Sequence, residues 1–111
     1  MNFLDYQHET AKTAIYPCGT TVEALSYTTL GLVGEASEIA NKVKKILRDE
    51  GGVVTMNKKS ELADELGDVL WYVSQLAKEL GFNLEAVAKR NVAKLSDRAA
   101  RGSLRGSGDN R

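Results

Sequence analysis

The chain has 111 residues, 15 Lys/Arg against 15 Asp/Glu, and a single cysteine, Cys18. That length supports one core and one domain, and a lone cysteine excludes an internal disulfide and fits a reducing, cytoplasmic setting. No apolar run approaches the roughly 18 residues that a membrane span needs. The N-terminus also lacks the basic-then-apolar layout of a signal peptide. The charges are segregated: residues 1–82 carry 8 Lys/Arg and 12 Asp/Glu, whereas residues 83–111 carry 7 and 3. An acidic body with a basic end suits a metal site facing a phosphate-holding segment; it equally suits a solvated helix with a basic tail.

Four helices are expected, with no strand pattern between them. The first covers about 4–14 and stops before the turn at Tyr16-Pro17-Cys18-Gly19. The second starts at Thr20-Thr21-Val22-Glu23, which has capping-box spacing, and runs to about 49, where Gly51 and Gly52 stop it. Its apolar stripe is read as Leu25, Thr29, Leu32, Ala36, Ile39, Val43 and Leu47. Asn57 is the expected cap of a third helix over about 58–80, with Leu62, Leu66, Val69, Val73, Leu76 and Leu80 in period and Gly81 closing it. Asn83 caps a fourth over about 84–100, where Val87, Val92 and Leu95 are apolar. Residues 1–101 form the expected domain, and the Gly-rich tail 102–111 is too polar to pack alone. The two middle helices, about 35–40 Å long at 1.5 Å per residue, should lie antiparallel. Their stripes are too long for one pair to hide, so an all-α four-helix bundle assembling as a homodimer or a dimer of dimers is expected.

Glu35 and Glu38 are three residues apart, as are Glu65 and Asp68, so each pair occupies one helix face beside the apolar stripe. Four carboxylates brought together repel, and a hard divalent cation with oxygen ligands reverses that penalty. Gly31, Gly34 and Gly67 lie inside the expected helices within a turn of these acids. Each costs about 1 kcal/mol relative to alanine there, which points to close backbone approach or room for a ligand. A Glu-x-x-Glu on a helix is also a common solvated face, and spacing alone does not choose between the two.

The segment Gly34-Glu35-Ala36-Ser37-Glu38, followed by residues 65–71 (ELGDVLW), resembles the E-x-x-E…E-x-x-D signature of the MazG-like all-α nucleotide pyrophosphohydrolases. Residues 13–17 (TAIYP), 30–45 (LGLVGEASEIANKVKK), 91–98 (NVAKLSDR) and 106–111 (GSGDNR) extend the resemblance over most of the chain. Ser37 departs from it, since glycine is common there. The resemblance implies a bundle in which Glu35, Glu38, Glu65 and Asp68 bind Mg²⁺, with Mn²⁺ as substitute. It also implies cleavage of a nucleoside triphosphate to monophosphate and pyrophosphate, with a carboxylate of the first pair as general base.

Asn91, Lys94 and Arg98 share a face of the fourth helix and, with Lys42 and Arg101, are the expected contacts to phosphate or sugar. The tail is read either as closing over the phosphates through glycine N–H groups or as a frayed end. Gln7, Tyr16, Tyr27, Trp71 and Tyr72 are candidates at the base: Tyr72, one turn beyond Asp68, overlooks the site, whereas Trp71 better suits core or dimer-interface packing. His8, the sole histidine, and Cys18 are poor candidates for ligand or nucleophile. A non-catalytic helical interaction module is the rival reading. A nucleic-acid binder is disfavoured by the balanced charge and the acidic body.

Overall fold

Asn2, Thr20, Thr55 and Asn83 open the four helices of the computed structural model, which describes residues 1–17 and 19–111. Each side chain accepts the backbone N–H three residues ahead: Asp5, Glu23, Lys58 and Ala86, at 2.8, 3.0, 3.2 and 2.7 Å. These bonds satisfy donors that a helix start leaves unpaired, which sets where each helix begins. The helices are α1 (Phe3–Thr10), α2 (Thr21–Asp49), α3 (Met56–Glu79) and α4 (Leu84–Ala100). Among the described residues there is no strand, and no helix is long and apolar enough to cross a membrane. The cysteine considered above lies outside the described residues.

Two boundaries differ from expectation. The first helix tightens into a 3-10 turn over Ala11–Thr13 rather than continuing to 14. Thr55, not Asn57, caps α3; Asn57 sits in the first turn and its amide donates to Glu61. The third helix ends as expected: Gly81 takes φ +84°, its N–H bonds to Lys78 O, and that of Phe82 bonds to Ala77 O. This reciprocal closure needs a left-handed residue, which glycine adopts without Cβ strain.

α2 and α3 form an antiparallel pair. Glu50 with Lys58, Lys42 with Glu65, and Gly31 with Tyr72 are neighbours that step in opposite directions along the two helices. α1 lies against α3 and α4 through polar groups. Thr10 Oγ1 accepts from Gln75 Nε2 at 2.6 Å and lies 3.2 Å from Ser74 Oγ. The Tyr16 hydroxyl bonds Glu79 at 2.5 Å, with Gln75 Oε1 at 3.2 Å. Thr10, Thr28, Ser74 and Gln75 are all buried, whereas among the described residues the buried apolar side chains are only Ala24, Ile46, Ala77 and Leu84. Buried hydroxyls and amides are tolerated because they are paired.

The face of α2 that meets α3 is not the expected stripe. Ala24, Thr28, Gly31, Glu35, Ile39, Lys42 and Ile46 recur at spacings of three and four and are buried or half-buried. The expected set is displaced from these by about one residue, or roughly 100° around the helix. Only Leu25, Leu32 and Ile39 of it are even partly covered, and Val43 and Leu47 are 42% and 69% exposed. The strongest apolar period therefore marks a face that the single chain leaves open.

The tail is wound rather than free. Arg98 Nη2 donates to Asp109 O at 2.7 Å, Arg101 Nη2 to Arg111 O at 2.8 Å, and Arg111 Nη1 to Gly108 O at 2.7 Å. Bonds from these guanidinium groups to tail carbonyls hold residues 102–111 against the end of α4.

Candidate metal centre

The offset just described puts Glu35 on the α3-facing side of α2. Glu65 and Asp68 project from α3 at the same level, and carboxylate oxygens of all three lie within 4.8 Å of one another. Glu35 and Glu65 are half-buried and Asp68 is exposed. Glu38, three residues from Glu35, falls outside this close group and is exposed. Its charge still reaches Glu35. The Glu35 carboxyl is pushed above the usual glutamate range, first by burial and then by Asp68, Glu65 and Glu38. Four expected ligands are thus three in close contact and one beside them.

Among the described residues the donor set is carboxylate oxygens alone, which matches a hard divalent ion such as Mg²⁺ or Mn²⁺. The upward push on Glu35 has the same origin, since clustered negative charge without a cation is unfavourable. The residues present fit the ion.

Glu35 and Asp68 face a pocket of about 290 Å³ whose other walls are Thr13, Trp71 and Tyr72. Trp71 Nε1 donates to Thr13 Oγ1 at 2.9 Å, which fixes the indole across the 3-10 turn. The Trp71 and Tyr72 rings meet edge to face at 5.0 Å, Trp71 meets Tyr16 at 6.2 Å, and Tyr16 stacks on Tyr27 at 5.2 Å. Burial and Tyr27 raise the Tyr72 phenol above its ordinary value, and Glu35 and Asp68 add to the shift. Burial, and then Asp68, raises Tyr6 in the same way. Gly31 explains how the Tyr72 ring fits, because a Cβ there would lie 2.1 Å from its Cε1. Gly34 and Gly67 meet nothing within 4 Å, so close packing does not require them. Sequence reasoning missed Thr13 as a pocket wall; an isolated threonine at a helix end carries no signal of that kind.

The other expected contacts are scattered. Gln7 does not face the pocket: its amide donates to Ser74 O and Phe82 O, both at 3.3 Å, and its carbonyl accepts from Leu84 N at 2.9 Å. Every polar atom of that side chain is used to tie α1 to Ser74 on α3 and to the α3–α4 turn. Asn91 and Lys94 are exposed and line a groove on α4 with Val87 and Arg90. Arg98 does not share their open face, being buried in the wound tail, and Arg101 pairs with Asp97 at 2.9 Å. Lys42 lies between Glu61 and Glu65, 3.8 Å from each.

Residues 23–102 match the MazG nucleotide pyrophosphohydrolase domain. The chain is also 56% identical over 109 residues to the Gene 37 protein of Mycobacterium phage L5, covering 96% of each chain. No solved structure matches it. With the family domain spanning most of its length, the chain belongs to the MazG nucleotide pyrophosphohydrolase family.

Proposed function

We propose that the chain is a Mg²⁺-dependent hydrolase that cleaves nucleoside or deoxynucleoside triphosphates between the α and β phosphates. The observation that carries this reading is the cluster of Glu35, Glu65 and Asp68 opening onto an aromatic-walled pocket. Glu35, Glu65 and Asp68, with Glu38 beside them, are the residues to hold Mg²⁺ or Mn²⁺. When bound, the metal offsets triphosphate charge and lowers the pKa of water.

The chain's own groups supply the rest. Trp71 and Tyr72 offer ring faces and edges against which a nucleobase packs. Glu38, exposed and outside the tight group, is the carboxylate best able to accept the proton of the attacking water. The water oxygen bonds to the α-phosphorus, the bond to the α–β bridging oxygen breaks, and pyrophosphate leaves with that oxygen. Asn91 and Lys94 are an amide and a cation available to phosphate oxygens. The open face of α2 supports a homodimer or a dimer of dimers as the working assembly.

The test is product analysis over a panel of NTPs and dNTPs, with Mg²⁺ and with EDTA. Metal-dependent release of pyrophosphate and monophosphate is expected, and Glu38→Gln and Asp68→Asn should each abolish it while helical content persists. Release of orthophosphate and diphosphate instead would refute the cleavage position. An absence of turnover, with no effect of metal on stability, would favour the interaction module.

A further inference from the structure

Lys42 projects from the same face of α2 as Glu35, but seven residues further on, or roughly 10 Å along the helix axis. It is absent from the walls of the pocket that Glu35 and Asp68 line; instead it borders a separate cavity of about 160 Å³ with Lys45, Ile46, Glu50 and Lys58. Its ammonium lies 3.8 Å from Glu65 Oε1 and 3.8 Å from Glu61 Oε2, and Lys58 in turn lies 3.3 Å from Glu61 and 3.9 Å from Glu50. Charges thus alternate along the α2–α3 seam: Glu50, Lys58, Glu61, Lys42, Glu65, and then the other two acids. Glu65 has the least exposed of these side chains, at 18%, and among the described residues is the one carboxylate of the cluster with a cation in reach.

The geometry points to Lys42 as a positioning residue behind the metal centre: a resident counter-ion that holds Glu65, reduces the cluster's net negative charge, and so sets how tightly a divalent ion is bound. This rests on the acid cluster being a metal centre. It replaces the expectation that Lys42 contacts phosphate, since the side chain approaches the site from behind rather than from its open side. Glu61 shares the ammonium and so weakens its hold on Glu65; it is not itself a ligand.

Two roles for Lys42 separate cleanly if Mn²⁺ binding is measured by calorimetry in the absence of nucleotide. With Lys42→Met, Glu65 is released and one positive charge is lost, so Mn²⁺ should bind about three- to tenfold tighter, a range set by screening at a half-exposed pair. Lys42→Arg keeps the charge and should stay near wild type. Glu61→Gln leaves the ammonium to Glu65 alone and should weaken Mn²⁺ binding. The apparent KM for nucleotide at saturating Mg²⁺ should barely move in Lys42→Met. Unchanged or weaker Mn²⁺ binding in Lys42→Met overturns the inference, and a raised KM in the same variant would return Lys42 to the substrate. If wild type binds no Mn²⁺ at all, the metal-centre reading itself falls, a result distinct from wild-type binding that Lys42→Met leaves untouched.

Discussion

Glu35 carries the conflict between fold and site in one side chain. Burial and three neighbouring carboxylates raise its pKa above that of an unfolded chain, so the folded protein binds this proton more tightly. Ionised Glu35 therefore destabilises the metal-free fold at neutral pH, and that penalty is lost as pH falls through the raised pKa. Urea denaturation in EDTA should show stability rising from neutrality towards the upper edge of the carboxylate range, relative to Glu35→Gln. The variant should be the more stable protein at neutral pH and should fail to bind Mn²⁺. Matching pH profiles for the two proteins would contradict the assignment. Gln7 teaches the complementary lesson: a polar side chain on a short helix looks available for a ligand until its three bonds to backbone are seen.

Helix limits were largely legible because they depend on local chemistry. Thr20, Gly81 and Asn83 act within a few residues of themselves, and α2 and α4 begin and end where the sequence indicates. The face that each helix buries is a different matter. Of the three helix-interior glycines, only Gly31 faces a close neighbour, the Tyr72 ring on α3. Gly31→Ala should cost about 1–3 kcal/mol through overpacking against that ring. In a Tyr72→Ala background, where the obstructing ring is gone, the same substitution should cost much less. A double-mutant cycle by chemical denaturation measures the difference, and additive costs would show that the two residues do not meet.

The radius of gyration is 17.0 Å, against about 13 Å for a compact chain of this length. With so few fully buried apolar residues, the open shape leaves surface that water should not keep. On α2, Val33, Val43 and Leu47 are exposed, and with Ala36 and Ala40 they recur at spacings of three and four, the pattern of a helix–helix seam. The proposed homodimer would cover that face with a second copy of the chain. Sedimentation velocity should therefore find a dimer or larger species, and Val33→Glu combined with Val43→Glu should dissociate it or leave it poorly folded. A wild-type monomer at micromolar concentration would count against this assembly.

The chain's own residue order determined the all-α class, the caps at Thr20, Gly81 and Asn83, and the spacing of Glu35 with Glu38 and of Glu65 with Asp68, because these depend on spacing within a helix. It also contained the apolar period of α2, but not what that period faces. The meeting of Glu35, Glu65 and Asp68 without Glu38, the retreat of Lys42 behind the cluster, and the use of Gln7 and Arg98 inside the fold came only with the tertiary structure. Each depends on how far one helix is rotated against another, and a rotation of one residue's worth exchanges one face for the next.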